Sequence, residues 1–277
     1  MLPLANHYWL KRCVLMTVYF IGAGPGAADL LTLRADALIR RCEVCLYAGS
    51  IVPPEVLEHC PDGADVINTA RMPLDAIVET IAKADSEGKD VARLQSGDPS
   101  LWSALAEQAR RLVERNIDYE IVPGVPAFSA AAASLGHELT VPTIGQSVIL
   151  TRISGRASSM PEGESLPELG SHGVTMCIHL AAHDAQRISD ELTPSYGADC
   201  PVAVVAFASR PNERVLRTTL GKLPDDIAAK GITRTAVIIV GQTLAADEFP
   251  DSFLYSDDRP RDAYGRTIPC SHDSTGT

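Results

Sequence analysis

Short apolar runs alternate along the first half of the chain with longer segments of helical period, first Val18–Ile21, then Asp29–Arg41, then Val44–Tyr47. Strand, helix and strand in that order form the pattern of a parallel sheet whose crossovers lie on its faces. Further strands are expected at Asp65–Asn68, Val91–Gln95 and Tyr119–Val122, with helices at Leu74–Ser86, Leu101–Arg115 and Phe128–Leu135. Leu101, Leu105, Ala109, Leu112 and Val113 recur on one helical face, and a core stripe is sufficient to explain them. Leu139–Gln146 carries Pro142 and Gly145 without a clear period, which suits a linker. Beyond it, strands are expected at Val148–Thr151, Val174–Leu180, Val202–Ala208, Val215–Leu220 and Ala236–Val240. Between the first two of these lies the long polar stretch Arg152–Ser171, and a loop of that length is more often functional than idle. The pattern predicts two α/β domains over residues 17–142 and 146–250, followed by a tail over 251–277.

Composition changes this picture little, since 45% of the 277 residues are hydrophobic and 21% charged, close to the globular average. A formal net charge of −11 argues against a nucleic-acid backbone as the main partner, because that needs a basic face. The seven cysteines, at positions 13, 42, 45, 60, 177, 200 and 270, are odd in number and lack a secreted-scaffold spacing, so reduced thiols in a cytoplasmic protein are expected. Cys42 and Cys45 form a C-x-x-C at the entrance to an apolar strand, without a second pair spaced for zinc; burial accounts for them and no metal is expected. Residues 1–15 include Lys11 and Arg12 but no apolar stretch long enough for export or for a membrane span, and Met16 is a candidate natural start.

The candidate chemistry lies where strands end. The first strand runs into Gly22-Ala23-Gly24-Pro25-Gly26, a G-x-G-x-G turn unsuited to a dinucleotide: position 27 is alanine, and Pro25 removes a backbone N–H that a pyrophosphate would use. Tyr47-Ala48-Gly49-Ser50 also lacks the acid that would bind a nicotinamide ribose. A tight turn that lets another segment or a flat ligand approach closely is the better account. The fourth strand runs into Ser96-Gly97-Asp98-Pro99-Ser100, which puts Asp98 at the carboxyl edge of a parallel sheet, where ligands bind; capping of the following helix is an equal alternative. The fifth strand ends in Val122-Pro123-Gly124-Val125-Pro126-Ala127, whose small side chains permit close backbone approach. His179 and His183 are four apart but begin in a strand, so helical spacing does not make them metal ligands; they and His137 are expected in core or edge positions. Trp102 and Phe207 are expected in the core, with the wall of a cleft for a flat ring as the alternative.

Taken together, Tyr19 to Gly26, Tyr47 to Ser50, Ser96 to Pro99 and Val122 to Val125 resemble the tetrapyrrole methylases. Thr151-Arg152-Ile153-Ser154-Gly155-Arg156, Met160 to Glu164, and Ser209-Arg210-Pro211-Asn212-Glu213 resemble the subgroup of precorrin-4 C11-methyltransferases and their cobalt-precorrin-4 counterparts. The similarity runs from about Thr17 to Leu254-Tyr255 and Tyr264 to Arg266. The resemblance implies two α/β domains with the active site in the cleft between them, a homodimer, S-adenosylmethionine as methyl donor and a small-molecule tetrapyrrole substrate. Carried over by position, the donor would lie against Pro25, Ser96, Gly97, Asp98, Leu101, Pro126 and Ala127, with Leu180, Ala208, Ser209 and Ala236 completing its pocket. One departure is that Ala27-Ala28 precede Asp29, where the family commonly has Asp directly after Gly-Pro-Gly. Asp98 is expected to act as the catalytic residue, orienting donor or macrocycle and helping proton loss. Arg152 and Arg156 are expected to pair with substrate carboxylates as bidentate forks, against the alternative of a solvated loop. Methylation of an RNA ribose is disfavoured by the acidic charge, and a non-catalytic tetrapyrrole-binding module would not need the donor pocket.

Overall fold

A computed structural model describes residues 16–154, 158–252, 259 and 265. Two compact units divide the chain: one runs through Leu135 and includes the segment Val205–Val215, the other comprises Gly136–Val204 and the chain from Leu216. In chain order the first unit contains β1 (Val18–Gly22), α1 (Leu33–Ile39), β2 (Val44–Tyr47), α2 (Pro54–Leu57), β3 (Asp65–Asn68), α3 (Leu74–Ser86), β4 (Val91–Gln95), α4 (Leu105–Glu114), β5 (Tyr119–Val122) and α5 (Ala127–Leu135).

The five strands form a sheet of order β3-β2-β4-β1-β5, parallel throughout its pairings. Its central strands are apolar because both faces are covered. Tyr19 and Ile21 join Leu38, Ile39, Ala92 and Leu94 on the α1 side. Val18 and Phe20 join Leu46, Ile77, Ile81 and Leu112 on the side of α3 and α4. The alternating direction of side chains along β1 thus feeds two cores from one strand. Thr32 caps α1 by accepting from the Ala35 amide at 3.1 Å. The edge strand β3 is the polar one, with Asp65, Val66 and Asn68 exposed.

The helix expected over Asp29–Arg41 is split: a 3-10 turn at Ala28–Leu30 comes first, and α1 starts only after Thr32. The helix expected from Leu101 starts at Leu105, because Trp102 (φ 47°) and Ala104 (φ 56°) adopt left-handed backbone that no helix accommodates. Asp98 therefore does not cap α4. Of the expected stripe, Leu112 is fully buried, whereas Val113 is exposed on the flank.

The second unit carries β6 (Val148–Arg152), α6 (Leu166–Gly170), β7 (Thr175–His179), α7 (Ala185–Tyr196), β8 (Pro201–Ala206), β9 (Arg214–Thr219), α8 (Leu223–Ala229) and β10 (Ala236–Val240). Their sheet has the order β6-β7-β10-β8-β9 and is mixed, with β7 parallel to β6 and antiparallel to β10. The polar stretch Arg152–Ser171 is not all loop: Ser165 and Glu168 form a reciprocal capping box that starts α6. Strand β8 ends two residues early, at Ala206, since Phe207 and Ser209 both have positive φ.

The C-x-x-C pair is buried, and burial pushes the Cys42 thiol up to about 12, while a hydrogen bond donated to Cys60 and burial hold Cys45 in its protonated form. At the end of β7, burial lowers His179 from 6.5 to about 4, so it is neutral in the folded protein at neutral pH. The unfolded chain takes up this proton first, so stability is expected to fall as pH drops from 6.5 towards 4. The slope is at most about 1 kcal/mol per pH unit. Urea midpoints across that window will show the slope in the wild type and its loss in His179→Gln.

Candidate active site

In the first sheet, the connection leaving β1 goes to β2 by way of α1 on one face, and the connection leaving β4 goes to β5 by way of α4 on the other. The chain thus reverses direction between β1 and β4, which are neighbours. Ligands of open α/β sheets bind at the carboxyl ends of such a pair. Here the two turns are hydrogen-bonded to each other: Gly24 N donates to Gly97 O at 3.2 Å, and Gly97 N to Gly24 O at 2.8 Å. The turn after β5 closes on both. A Cβ added to Gly22 would lie 2.5 Å from the Cα and N of Gly124, and 2.8 Å from Gly97 O. Glycine is required where backbones come this close.

Asp98 ties the turns together. Its Oδ2 accepts the Gly124 amide at 2.8 Å, and its Oδ1 accepts the Ser100 amide at 2.8 Å together with the Ser100 hydroxyl. Burial acts to raise its pKa, but the donors, Ser100 Oγ first, then the Gly124 and Ser100 amides, outweigh it and hold the carboxyl below 3.8. Among Gly22–Gly26, Ser96–Leu101 and Gly124–Ala127 it is the single charged residue. Gly97, at φ 69°, presents bare backbone beside Pro126, whose Cα is 3.6 Å from where a Cβ would be.

The segment 205–215 adds a polar network to this unit. Ser209 Oγ accepts the Ala27 amide at 3.0 Å, while the Ser209 amide donates to Glu213 Oε2 at 2.6 Å. The Ser134 hydroxyl of α5 donates to the same Glu213 oxygen at 2.8 Å. Arg210 packs over the Phe207 ring and against Gly26, and its guanidinium donates to Ile51 O at 2.6 Å. Ala27, Tyr47, Asn68, Ser209, Arg210 and Asn212 are among the residues around a cavity of about 890 Å³.

The structure therefore gathers Pro25, Ser96, Gly97, Asp98, Leu101, Pro126 and Ala127 on one sheet edge, with Ala208 and Ser209 in the same unit. Leu180 and Ala236 belong to the second unit, where Leu180 follows β7 with φ 56° and 58% exposure, and Ala236 opens β10. Arg152, also in that unit, donates through Nη1 to Ser158 O at 2.8 Å and Ile153 O at 3.2 Å; Arg156 lies outside the described residues. Sequence reasoning missed Glu213 and Tyr47 as individual site residues. The motif containing Glu213 was visible, but its partners Ser134 and Ser209 are set by folding. Among the described residues, no cluster of His, Cys, Asp and Glu is arranged to hold a metal ion.

A parallel sheet with glycine turns locked at its strand reversal, and an ionised aspartate between them, fits the class of methylases expected from the sequence rather than a dinucleotide fold. Residues 17–224 match the family model of the Tetrapyrrole (Corrin/Porphyrin) Methylases, and the chain belongs to that family. Within it, the chain is 61% identical over 246 residues to a precorrin-4 C(11)-methyltransferase of Rhodococcus erythropolis, covering 89% of this chain and 99% of that one. A solved cobalt precorrin-4 methyltransferase superposes with a TM-score of 0.82 at 38% identity, covering 85% of this chain and 98% of the other. The uroporphyrin-III C-methyltransferase of Thermus thermophilus, solved with S-adenosyl homocysteine, gives 0.69 at 25% identity over 83% of this chain and 99% of that one.

The crowding at the three turns makes a direct prediction. Gly124→Ala would put its Cβ within 2.7 Å of Gly22 Cα. Relief requires backbone movement, so a loss of about 1–3 kcal/mol is expected in urea unfolding, together with a fall in donor affinity measured by calorimetry.

Proposed function

We propose that the chain transfers a methyl group from S-adenosylmethionine to C-11 of precorrin-4, giving precorrin-5, a step of cobalamin biosynthesis. The observation that carries this reading is the Asp98-tied set of turns at the β1/β4 reversal, in a chain 61% identical to a precorrin-4 enzyme along nearly that enzyme's full length. The bare backbone at Gly97 and the single negative charge of Asp98 fit a donor that carries a flat adenine and a positively charged sulfonium. S-adenosylmethionine, when bound, supplies a methyl group already activated as a sulfonium substituent.

Pro25, Ser96, Gly97, Asp98, Leu101, Pro126, Ala127, Ala208 and Ser209 are the donor contacts of this reading. The same proposal extends to Leu180 and Ala236, which the family resemblance assigns to the donor. What the protein contributes is position and charge. Asp98 keeps its charge at neutral pH and is held by three donors, so it presents a fixed negative field. Glu213 holds Ser209, and Ser209 in turn holds the glycine turn at Ala27. Arg152 and Arg156 are proposed to pair with carboxylates of the substrate; Arg152 uses Nη1 for its own loop, and its remaining nitrogens serve the substrate. A homodimer acting in the cytoplasm completes the reading.

Incubation with S-adenosylmethionine and precorrin-4, followed by mass spectrometry, is expected to show a gain of one methyl group on the metal-free ring. A gain on the cobalt-containing ring alone would move the enzyme to the cobalt-dependent route, and no gain on either would remove precorrin-4 as substrate. Asp98→Asn is expected to weaken S-adenosylmethionine about tenfold more than S-adenosylhomocysteine, which lacks the sulfonium charge, because the lost interaction is with that charge. Equal losses in parallel calorimetric titrations would assign Asp98 a purely structural role.

A further inference from the structure

Arg93 and Gln95 lie two apart on β4, so both side chains project to the face that carries α3 and α4. Together with Gln108 of α4, and with Ser96, Trp102 and Ser103, they line a cavity of about 330 Å³. Polar side chains inside an otherwise apolar central strand need a reason. Arg93 is only 5% exposed, and its hydrogen-bond partners are neutral: Nε donates to Gln108 Oε1 at 3.0 Å and Nη1 to Thr69 Oγ1 at 2.9 Å. Gln108 is itself fixed, since its Nε2 donates to Ala104 O at 2.8 Å. Burial lowers the Arg93 guanidinium to about 10, which leaves it a cation at neutral pH. Glu107 also lines the cavity, yet no carboxylate forms an ion pair with Arg93 among the described residues. Gln95 is likewise 5% exposed, and its Nε2 is enclosed without an acceptor.

A buried cation without a counter-charge and a buried N–H without an acceptor are each unfavourable, and an anion between them relieves both. The cavity wall supports the same conclusion. Trp102 and Ala104, both non-glycine residues with positive φ, hold the segment that closes one side, and such backbone is retained where the surroundings or a ligand require it. The volume admits an alkyl arm as well as its terminal group.

We propose that this cavity is a carboxylate subsite that receives one peripheral carboxylate arm of the tetrapyrrole, with Gln95 Nε2 and the Arg93 guanidinium as its donors. This rests on the functional reading above for the identity of the substrate. An alkyl carboxylate also ends the amino-acid part of the methyl donor, and the experiment separates the two sources.

Uroporphyrin, a stable tetrapyrrole with carboxylate arms, and S-adenosylhomocysteine are titrated separately into wild type, Gln95→Leu and Arg93→Met. Both variants are expected to bind uroporphyrin about tenfold more weakly, with S-adenosylhomocysteine affinity unchanged within about twofold. Gln95→Leu is also expected to raise the Tm of the ligand-free protein, because it removes a buried donor that has no acceptor. Should Arg93→Met fail to fold, the Gln95→Leu variant decides alone. Unchanged uroporphyrin affinity in Gln95→Leu, or no uroporphyrin binding by the wild type, overturns the subsite. A matching loss of S-adenosylhomocysteine affinity overturns it in favour of the donor's own carboxylate. If the wild type binds uroporphyrin through these residues but does not methylate precorrin-4, the subsite stands and the assigned reaction falls.

Discussion

Three backbone turns occupy the space where most sheets would have side chains, and the rest of the first unit depends on that approach. Gly22, Gly97 and Gly124 come from the ends of β1, β4 and β5; a methyl group on Gly22 or Gly124 would overlap backbone atoms, and Gly97 adopts φ 69°. Close packing of bare peptide groups leaves N–H groups that must find acceptors. Gly24 and Gly97 satisfy each other, and the Asp98 carboxylate takes the Gly124 amide. Removal of either the small residues or the carboxylate would separate the strand ends. The site is therefore a property of the turns jointly.

The same carboxylate has two consequences. Its hydrogen bonds hold it ionised despite partial burial, so structural and electrostatic roles come from one arrangement of donors. In the proposed reading, a cationic donor would meet a negative charge whose position is fixed before binding, with no reorganisation needed when it arrives. A comparable economy applies on the opposite side of β4, where Arg93 and Gln95 interrupt an apolar strand and are supported by Thr69 and Gln108 from neighbouring elements. Apolar side chains would pack in this core at lower cost, and the proposed carboxylate subsite is what gives the charged and amide groups a role there.

Much of the fold was legible in the residue pattern. Short runs rich in strand-forming residues and bounded by polar or turn residues locate β2, β3, β4, β5 and β10 at their observed ends. Helix α3 was equally clear from its period. The start of α4 was not, since Trp102 and Ala104 carry no sequence signal for left-handed backbone. Helix α6 had a signal in Ser165 and Glu168, but a polar stretch of that length conceals a single helical turn.

By itself the sequence determined which segments become strands, where the glycine turns fall and, through their order, the family. Those features depend on neighbours along the chain, whose spacing is fixed by covalent geometry. Only the tertiary structure decided that Glu213 serves both Ser134 and Ser209, that Asp98 reaches Gly124 across 26 residues, and that Arg93 has no carboxylate partner among the described residues. Such pairings depend on the register and order of strands brought together from distant parts of the chain, and residue type alone does not specify which polar group a buried donor will meet.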